Sequence, residues 1–597
     1  MKKIILILLA VIACTLSYAE TVKLNGLYYS LGSMTATLVK DQSSDQSTYK
    51  AYTSVNIPAS VYYNNYTYPV VTIGTSAFES CSNLQSVTLP NSITTINQDA
   101  FYGCTKLGDI NLPEGLTTIG LRAFYNCNLD TIIIPSTVTS ISNKAFQGNA
   151  TTSVVWKPVE CSIGTDSDAP FYSTNSQITS FTFGPNVELV PSYICKNMSK
   201  LDTIVLPPSV YRLGQNAFMY CTSLKSINLP VTQKTLPVSF FEGCSSLESI
   251  ELPATLTTIN EDAFYGCSKL ASVTLHEGIT TIGARAFEYC KLAQITIPST
   301  VTSIGNKAFQ GNPTTSVTWL PTSSSVSTGT GDNAPFYSTN SKITSFTFGD
   351  GVKTVPSYIC YKMNLLDTIV LPPSVSSLGQ YAFYYCTNLK SINLPVTQKT
   401  LPVSFFEGCS SLESIELPAT LTTINQDAFY GCSGLQEIHN YALTPQTITE
   451  RAVYNINKHT CILYVPIDYI DLYRAKAVWC DFDNIIGVQT DLQFEDQIVN
   501  VTYLKPDSSL YYMEAQNWAV PHEPHIEGFT FIGWQVQQGM LEDGIVLVAV
   551  YQSNTPTDNP AEVVVNPANK AQKLIRQGNV YILQDDALFT ITGQKVQ

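Results

Sequence analysis

The chain has 597 residues, enough for several domains or for one long array. Charged residues make up only 13% of it, the net charge is −14, and the 32 Lys and Arg form no run beyond Lys2-Lys3. That balance argues against nucleic acid and against an anionic membrane surface as partners.

Residues 1–19 read as an export signal. Lys2-Lys3 precede the apolar run 4–12, and Ser17 and Ala19 place small residues where a signal peptidase reads, so cleavage is expected after Ala19. A rival reading takes Val11-Ile12-Ala13-Cys14, which resembles a lipoprotein box, with Cys14 acylated as the new N-terminus. No other apolar run is long enough to span a bilayer. Residues 20–72 are rich in Tyr and Thr and alternate in character, as in 56–61. They are expected to form an N-terminal β cap, because the open end of a stacked array leaves a sheet edge and a dry face to cover.

Residues 73–438 repeat with a period of mostly 22 or 23. The type unit is 96–119, with Ala100-Phe101, Cys104, Leu107, Ile110, Leu112 and Pro113. The pair recurs as Ala77-Phe78, Ala123-Phe124, Ala217-Phe218, Ala263-Phe264, Ala286-Phe287, Ala382-Phe383 and Ala428-Phe429. A period in this range means a solenoid whose turns stack. Ile110-Asn111-Leu112 alternates in, out, in, which suits a short parallel strand that Pro113 closes. Ala100-Phe101 is expected opposite, on a single helical or 3₁₀ turn. Each turn offers about five large apolar side chains, at roughly 1.5–3 kcal/mol each, and that gain exists only when a neighbouring turn covers them.

On these residues the unit resembles the BspA-type leucine-rich repeat of bacterial surface proteins. The resemblance implies a mainly β solenoid of about 14–16 turns with a parallel sheet. It also implies a non-enzymatic adhesin for host matrix proteins, receptors or other cells; a surface glycan- or nutrient-binding protein is the alternative, and an enzyme with an unrecognised site a third reading. The array has a longer period as well. Residues 231–260 and 396–425 are identical, and Ile96, Ile259 and Ile424 start equivalent blocks about 165 residues apart. Copying a block suits lengthening an array better than building one unique active site.

Ten of the 16 Cys fall on the position of Cys104, and Asn149 and Asn312 take the same position. The expected role is therefore a column of small buried thiols rather than disulfides. Each block also carries an insertion after Trp156 or Trp319, at 161–168 and 323–332. Such insertions leave solenoids as loops and often bind. Asp166, Asp168 and Asp332 raise the question of Ca²⁺, without a defined loop signature.

Beyond the array, residues 439–487 resemble the family's closing cap, a Leu-Tyr-Val-Pro strand at 463–466 and then an amphipathic helix. Residues 488–552, through Glu527-Gly528-Phe529-Thr530-Phe531 and Gly533-Trp534, resemble the Listeria–Bacteroides repeat, a β-grasp module. Residues 553–566 are a Pro-, Asn- and Thr-rich linker. Residues 567–597, read as two strands about a polar turn at 584–586, resemble the C-terminal sorting domain of type IX secretion. That resemblance implies attachment at the outer membrane.

No motif for catalysis is present. His276, His439, His459, His522 and His525 are scattered, carboxylates occur singly, and no cofactor or metal is expected. The binding candidates are the outward strand residues Thr88, Asn111, Asn228, Glu251, Thr274, Thr296, Thr347, Asn393 and Glu416. At ~4.8 Å per turn they give a polar strip roughly 70 Å long. It suits extended contact with an extracellular protein or glycan by a monomer. A second candidate is the Tyr row Tyr102, Tyr125, Tyr265, Tyr384, Tyr385 and Tyr430.

Overall fold

Each repeat supplies two short β-forming segments, and the turns pair them in parallel. Ser86–Thr88 lies beside Asp109–Ile110, with Val87 opposite Ile110. A second ladder runs through Thr95–Ile96, Thr118–Ile119, Ser140–Ile141 and Ser162–Ile163, one Thr-Ile or Ser-Ile pair per turn. The structure, a computed structural model, is a parallel β-solenoid of about 18 turns with little helix. It describes residues 20–43, 47–322 and 328–488, and strand backbone between 500 and 590. The export signal with its cleavage after Ala19, Cys14, residues 323–327 of the second insertion, His522, His525 and residues 554–566 of the linker lie outside the described residues.

The chain divides into two units. The first comprises Met1–Asp367, Ser377–Leu389 and Ser404–Cys409. Its cap is an antiparallel meander, Glu20–Leu24, Leu27–Leu31 and Ala36–Val39, whose last strand turns parallel to Tyr66–Ile73. Tyr49 heads a column of stacked rings. Its centroid is 5.2 Å from Phe78, and Phe101, Phe124, Phe146 and Phe171 follow at 5.2–5.5 Å. The interior is dry: Leu84, Ile93, Ile96, Ala100, Phe101, Cys104 and Leu107 are all fully buried.

The third side of each turn carries the Ala-Phe pair. The i−3 bonds of a 3₁₀ turn occur there at alternate residues only: Ala100 N–H donates to Asn97, Tyr102 to Asp99 and Cys104 to Phe101. The other N–H groups leave the turn. Asp99, Phe101 and Gly103 donate to the carbonyls of Leu121, Ala123 and Tyr125 one turn on, at 2.8–2.9 Å. This division is possible because Asp99 (φ +55°) and Gly103 (φ +70°) are left-handed and re-aim the intervening peptides. A continuous helical turn would point every N–H back along its own axis, leaving the stack without a third ladder.

The second unit comprises Thr368–Ser376, Lys390–Val403 and Ser410–Gln597. Its first sheet is Ser414–Leu417, Glu437–Asn440, Ile462–Pro466 and Asn484–Val488, all parallel. Strands beyond 438 thus continue the parallel sheet of this unit, and in the first unit Ser54–Asn56 pairs in parallel with Ser86–Thr88. Elements expected only to cover the array add turns to it. Helix Ile470–Ala475 closes over this sheet, with Tyr473 Oη–H donating to Ala442 O at 2.7 Å and Trp479 Nε1–H to Gln446 O at 3.0 Å. Beyond it stands a mixed sheet in the order Leu510–Ala515, Asn500–Leu504, Gly544–Ser553, Phe529–Val536, whose middle pair is parallel. A three-stranded antiparallel meander follows, Ala571–Arg576, Asn579–Gln584 and Ala587–Thr590. It has one strand more than the hairpin expected from the sequence.

Candidate binding faces

Alternation along the first strand of each turn sends one side chain inward and the next outward. Thr88, Asn111, Asn228, Glu251, Thr274, Thr296 and Thr347 in the first unit, and Asn393 and Glu416 in the second, are all exposed. Register brings some of them into columns: Thr296, Thr318 and Thr347 are direct neighbours, as are Glu416, His439, Tyr464 and Ile486. In the latter column the His439 ring stacks on Tyr464 at 4.5 Å. The strip is not uniformly polar. Ile133 (44% exposed) and Val205 (69%) stand at the same outward position. The in-out-in rhythm identified that position in the sequence, but a selection by polarity passed these two over.

Two of the nine are committed to the backbone. Asn228 accepts from Leu206 N at 2.7 Å and donates to Leu206 O at 2.8 Å, and Asn393 does the same to Leu371 at 2.7 and 2.8 Å. Their parallel pairing ends at Ile227 and Ile392, so the carboxamides stand in for the missing ladder rungs. They are weaker candidates for ligand contact than the free threonines and glutamates.

The cysteine column has the same logic indoors. Fifteen described cysteines are free thiols, all buried except Cys480. Cys104 Sγ–H donates to Phe78 O at 3.1 Å, Cys127 to Phe101 O at 3.1 Å and Cys244 to Phe218 O at 3.2 Å. Asn149 does this job with its carboxamide, donating to Phe124 O at 2.7 Å and accepting from Leu129 N at 3.0 Å. Asn312 repeats it on Phe287 O and Leu292 N. Cys and Asn exchange here because the position needs a donor, which volume alone does not explain. Burial pushes the Cys221 and Cys386 thiols up to about 12, so thiolate chemistry is suppressed.

On the turn side, an Asp–Arg–Tyr trio recurs. Arg122 pairs with Asp99 at 2.8 Å over the ring of Tyr102, Arg285 with Asp262 at 2.6 Å over Tyr265, and Arg451 with Asp427 at 2.8 Å over Tyr430. Burial raises the Asp262 carboxyl to about 6 against the attraction of Arg285, with Glu242 and Glu261 adding like charge. Tyr102 stacks on Tyr125 at 5.0 Å, and Tyr430 on Tyr454 at 5.1 Å. The Tyr row is therefore partly packing between turns. In the insertions, Asp168 pairs with Lys144 at 3.5 Å and Asp166 with Lys196. His276 stands where Pro113 and Pro253 close their strands, its ring nitrogens 2.8 Å from Glu277 O and Pro253 O. No group of three metal-ligating side chains converges among the described residues, and none of their helices is long and apolar enough to cross a membrane.

A coil of parallel strands, with a leucine rhythm inside and short polar positions outside, defines a leucine-rich-repeat protein. The profile of the BspA type leucine rich repeat region matches residues 71–202, 188–316 and 331–463, more than half of the chain. The chain belongs to that family. A leucine-rich repeat protein of Bacteroides ovatus is 24% identical over 74% of this chain and 99% of its own, with a TM-score of 0.43. A leucine-rich cell surface protein of Faecalibacterium prausnitzii is 24% identical over 73% and 92%, with a TM-score of 0.27. The pneumococcal vaccine antigen PcpA is 16% identical over 79% and 99%, with a TM-score of 0.25. No curated protein matches the chain.

Proposed function

We propose that the chain is a non-enzymatic adhesin of the bacterial surface. It holds extracellular proteins, such as host matrix proteins or receptors, along the outward strand face. The observation that carries this reading is the register: Thr296, Thr318 and Thr347 present identical side chains on successive turns with backbones fully paired. Such a face is rigid before it binds, so little ordering entropy is lost on contact, and weak contacts add along it. The test is binding of the purified chain to immobilised matrix proteins. Replacing Thr296, Thr318 and Thr347 by Lys, then adding Glu251→Lys and Thr274→Lys, should weaken attachment in steps. One point change that abolishes it would count against a distributed face.

Attachment to the cell belongs to the same proposal. The 2-1-4-3 order with a parallel middle pair supports a β-grasp module at 488–552, and the meander after 571 supports a type IX sorting tail. Outer-membrane retention follows from removal of that tail, and acylation of Cys14 is the competing route. Mass spectrometry of both ends of the mature protein from the native cell distinguishes them.

A further inference from the structure

The two blocks repeat the same strands in the same order and spacing, Ser180–Phe183 to Thr235–Leu236 and again Ser345–Phe348 to Thr400–Leu401, which allows their surfaces to be compared position by position. Residues 224–260 and 389–425 are identical in sequence. Just upstream, 187–223 and 352–388 are not. There, three positions change to an aromatic residue: Lys196 becomes Tyr361, Asn216 becomes Tyr381 and Met219 becomes Tyr384. All three fall together in space. Tyr358 stacks on Tyr381 at 4.8 Å and Tyr361 on Tyr384 at 5.1 Å, and the two stacks meet at 5.7 Å, tilted at Tyr358–Tyr361 and edge to face at Tyr381–Tyr384. Tyr385 extends the group, 4.6 Å from Tyr384.

The fold does not ask for these rings. The first block builds the same turns with Lys, Asn and Met. Tyr381 sits at φ +59°, as does Asn216, and Asn tolerates that left-handed backbone better than a bulky side chain does. None of the five rings is fully buried, so the core does not compensate. The left-handed backbone belongs to every turn, so what sets this place apart is a half-buried aromatic cluster where the first block has Lys, Asn and Met.

The chemistry of the patch selects a neutral, linear partner. Tyr385 lies flat on the backbone of Gly408, where an added Cβ would meet three ring atoms at 2.8–3.0 Å, and it stays 41% exposed. A flat ring seated on backbone is a platform for the C–H face of a sugar, while the stacked rings offer edges and hydroxyls. Lys362 lies over Tyr361 at 4.8 Å and faces Asp332, and Glu407 acts on Tyr384, so one cation stands against two carboxylates and gives no pull on a polyanion. The stack spacing of about 5 Å is close to the step of one sugar unit along a glycan chain. The first-block equivalent keeps Tyr193 and Tyr220, the latter likewise seated on Gly243 and exposed, but there Lys196, paired with Asp166, lies over Tyr193 in place of the stacked rings.

We infer that the tyrosine cluster of the second block is a binding site for a neutral polysaccharide, separate from the strand face and present once despite the duplication. The test uses the full chain in affinity electrophoresis with soluble β-glucan, mannan, xylan and dextran, and with heparin as the charged control. At least one neutral polymer should retard the protein. The variant Tyr361→Lys, Tyr381→Asn, Tyr384→Met, which restores first-block residues that this fold already accepts, should bind that polymer at least tenfold more weakly with an unchanged melting temperature. The strand-face variant should bind it as the parent does. Retardation by none of the four, retardation by heparin alone, or undiminished binding by the triple variant overturns the inference. So does a triple variant that loses only protein binding. Failure of the matrix-protein assay leaves it standing, because the two surfaces share no residue.

Discussion

Cysteine 244 shows how much one buried donor matters. Its thiol satisfies the Phe218 carbonyl inside a dry column. Cys244→Val removes that donor, leaves the oxygen only its bond from Cys221 N–H at 3.2 Å, and adds a methyl to a tight column, so it should cost about 1–2 kcal/mol in urea unfolding. With burial holding Cys221 and Cys386 near 12, a thiol reagent at pH 8 should label Cys480 among the described cysteines, and the buried ones only after denaturant is added. Labelling of the column in the native state would contradict its packing. Gly408 carries a different constraint: its φ is +78° and Tyr385 occupies the place of a Cβ. Gly408→Ala should therefore destabilise by about 1 kcal/mol or more, read as a lower urea midpoint.

At the scale of the element, the turn ladder is what the repeat protects. The left-handed positions of successive turns take Asp99, Arg122 and Lys144, or Asp262, Arg285 and Lys307, so opposite charges on adjacent turns lie side by side. The Asp262 carboxyl prefers its proton in the folded chain, because burial, Glu242 and Glu261 together outweigh Arg285. The unfolded chain releases that proton first. Asp262 therefore contributes stability that is fully present below the ordinary carboxylate range and is lost as pH rises through about 6. Melting temperatures from pH 4 to 7 should show a downward slope that Asp262→Asn flattens. An unchanged slope would mean that the Arg285 pair keeps the carboxylate ionised.

For the whole molecule, the duplication makes length negotiable. Joining Thr95 to Ile259 removes one block and recreates the Thr-Thr-Ile-Asn junction of the parent. The shortened chain should still unfold cooperatively, with an m-value reduced roughly in proportion to the surface lost. Its binding to matrix proteins should fall by a step, whereas binding of a neutral polysaccharide, which depends on the second block, should persist. A shortened chain that is unfolded would show that the blocks are not interchangeable units.

The period, the in-out-in strand, the Ala-Phe plug and the closing Pro were all legible in the chain, because a solenoid repeats its local chemistry at fixed spacing. So was the outward position of Thr88, Asn111 and their equivalents. What could not be read was what touches what across turns. Only the stacked structure shows that Asn228 and Asn393 mend a ladder, that Cys104 donates to a carbonyl 26 residues earlier, and that the peptides around Asp99 and Gly103 point along the axis. The same holds for Tyr358, Tyr361, Tyr381 and Tyr384, which look like scattered substitutions until stacking sets them side by side. Periodicity is a property of the chain, whereas adjacency between turns exists only once the coil has closed on itself.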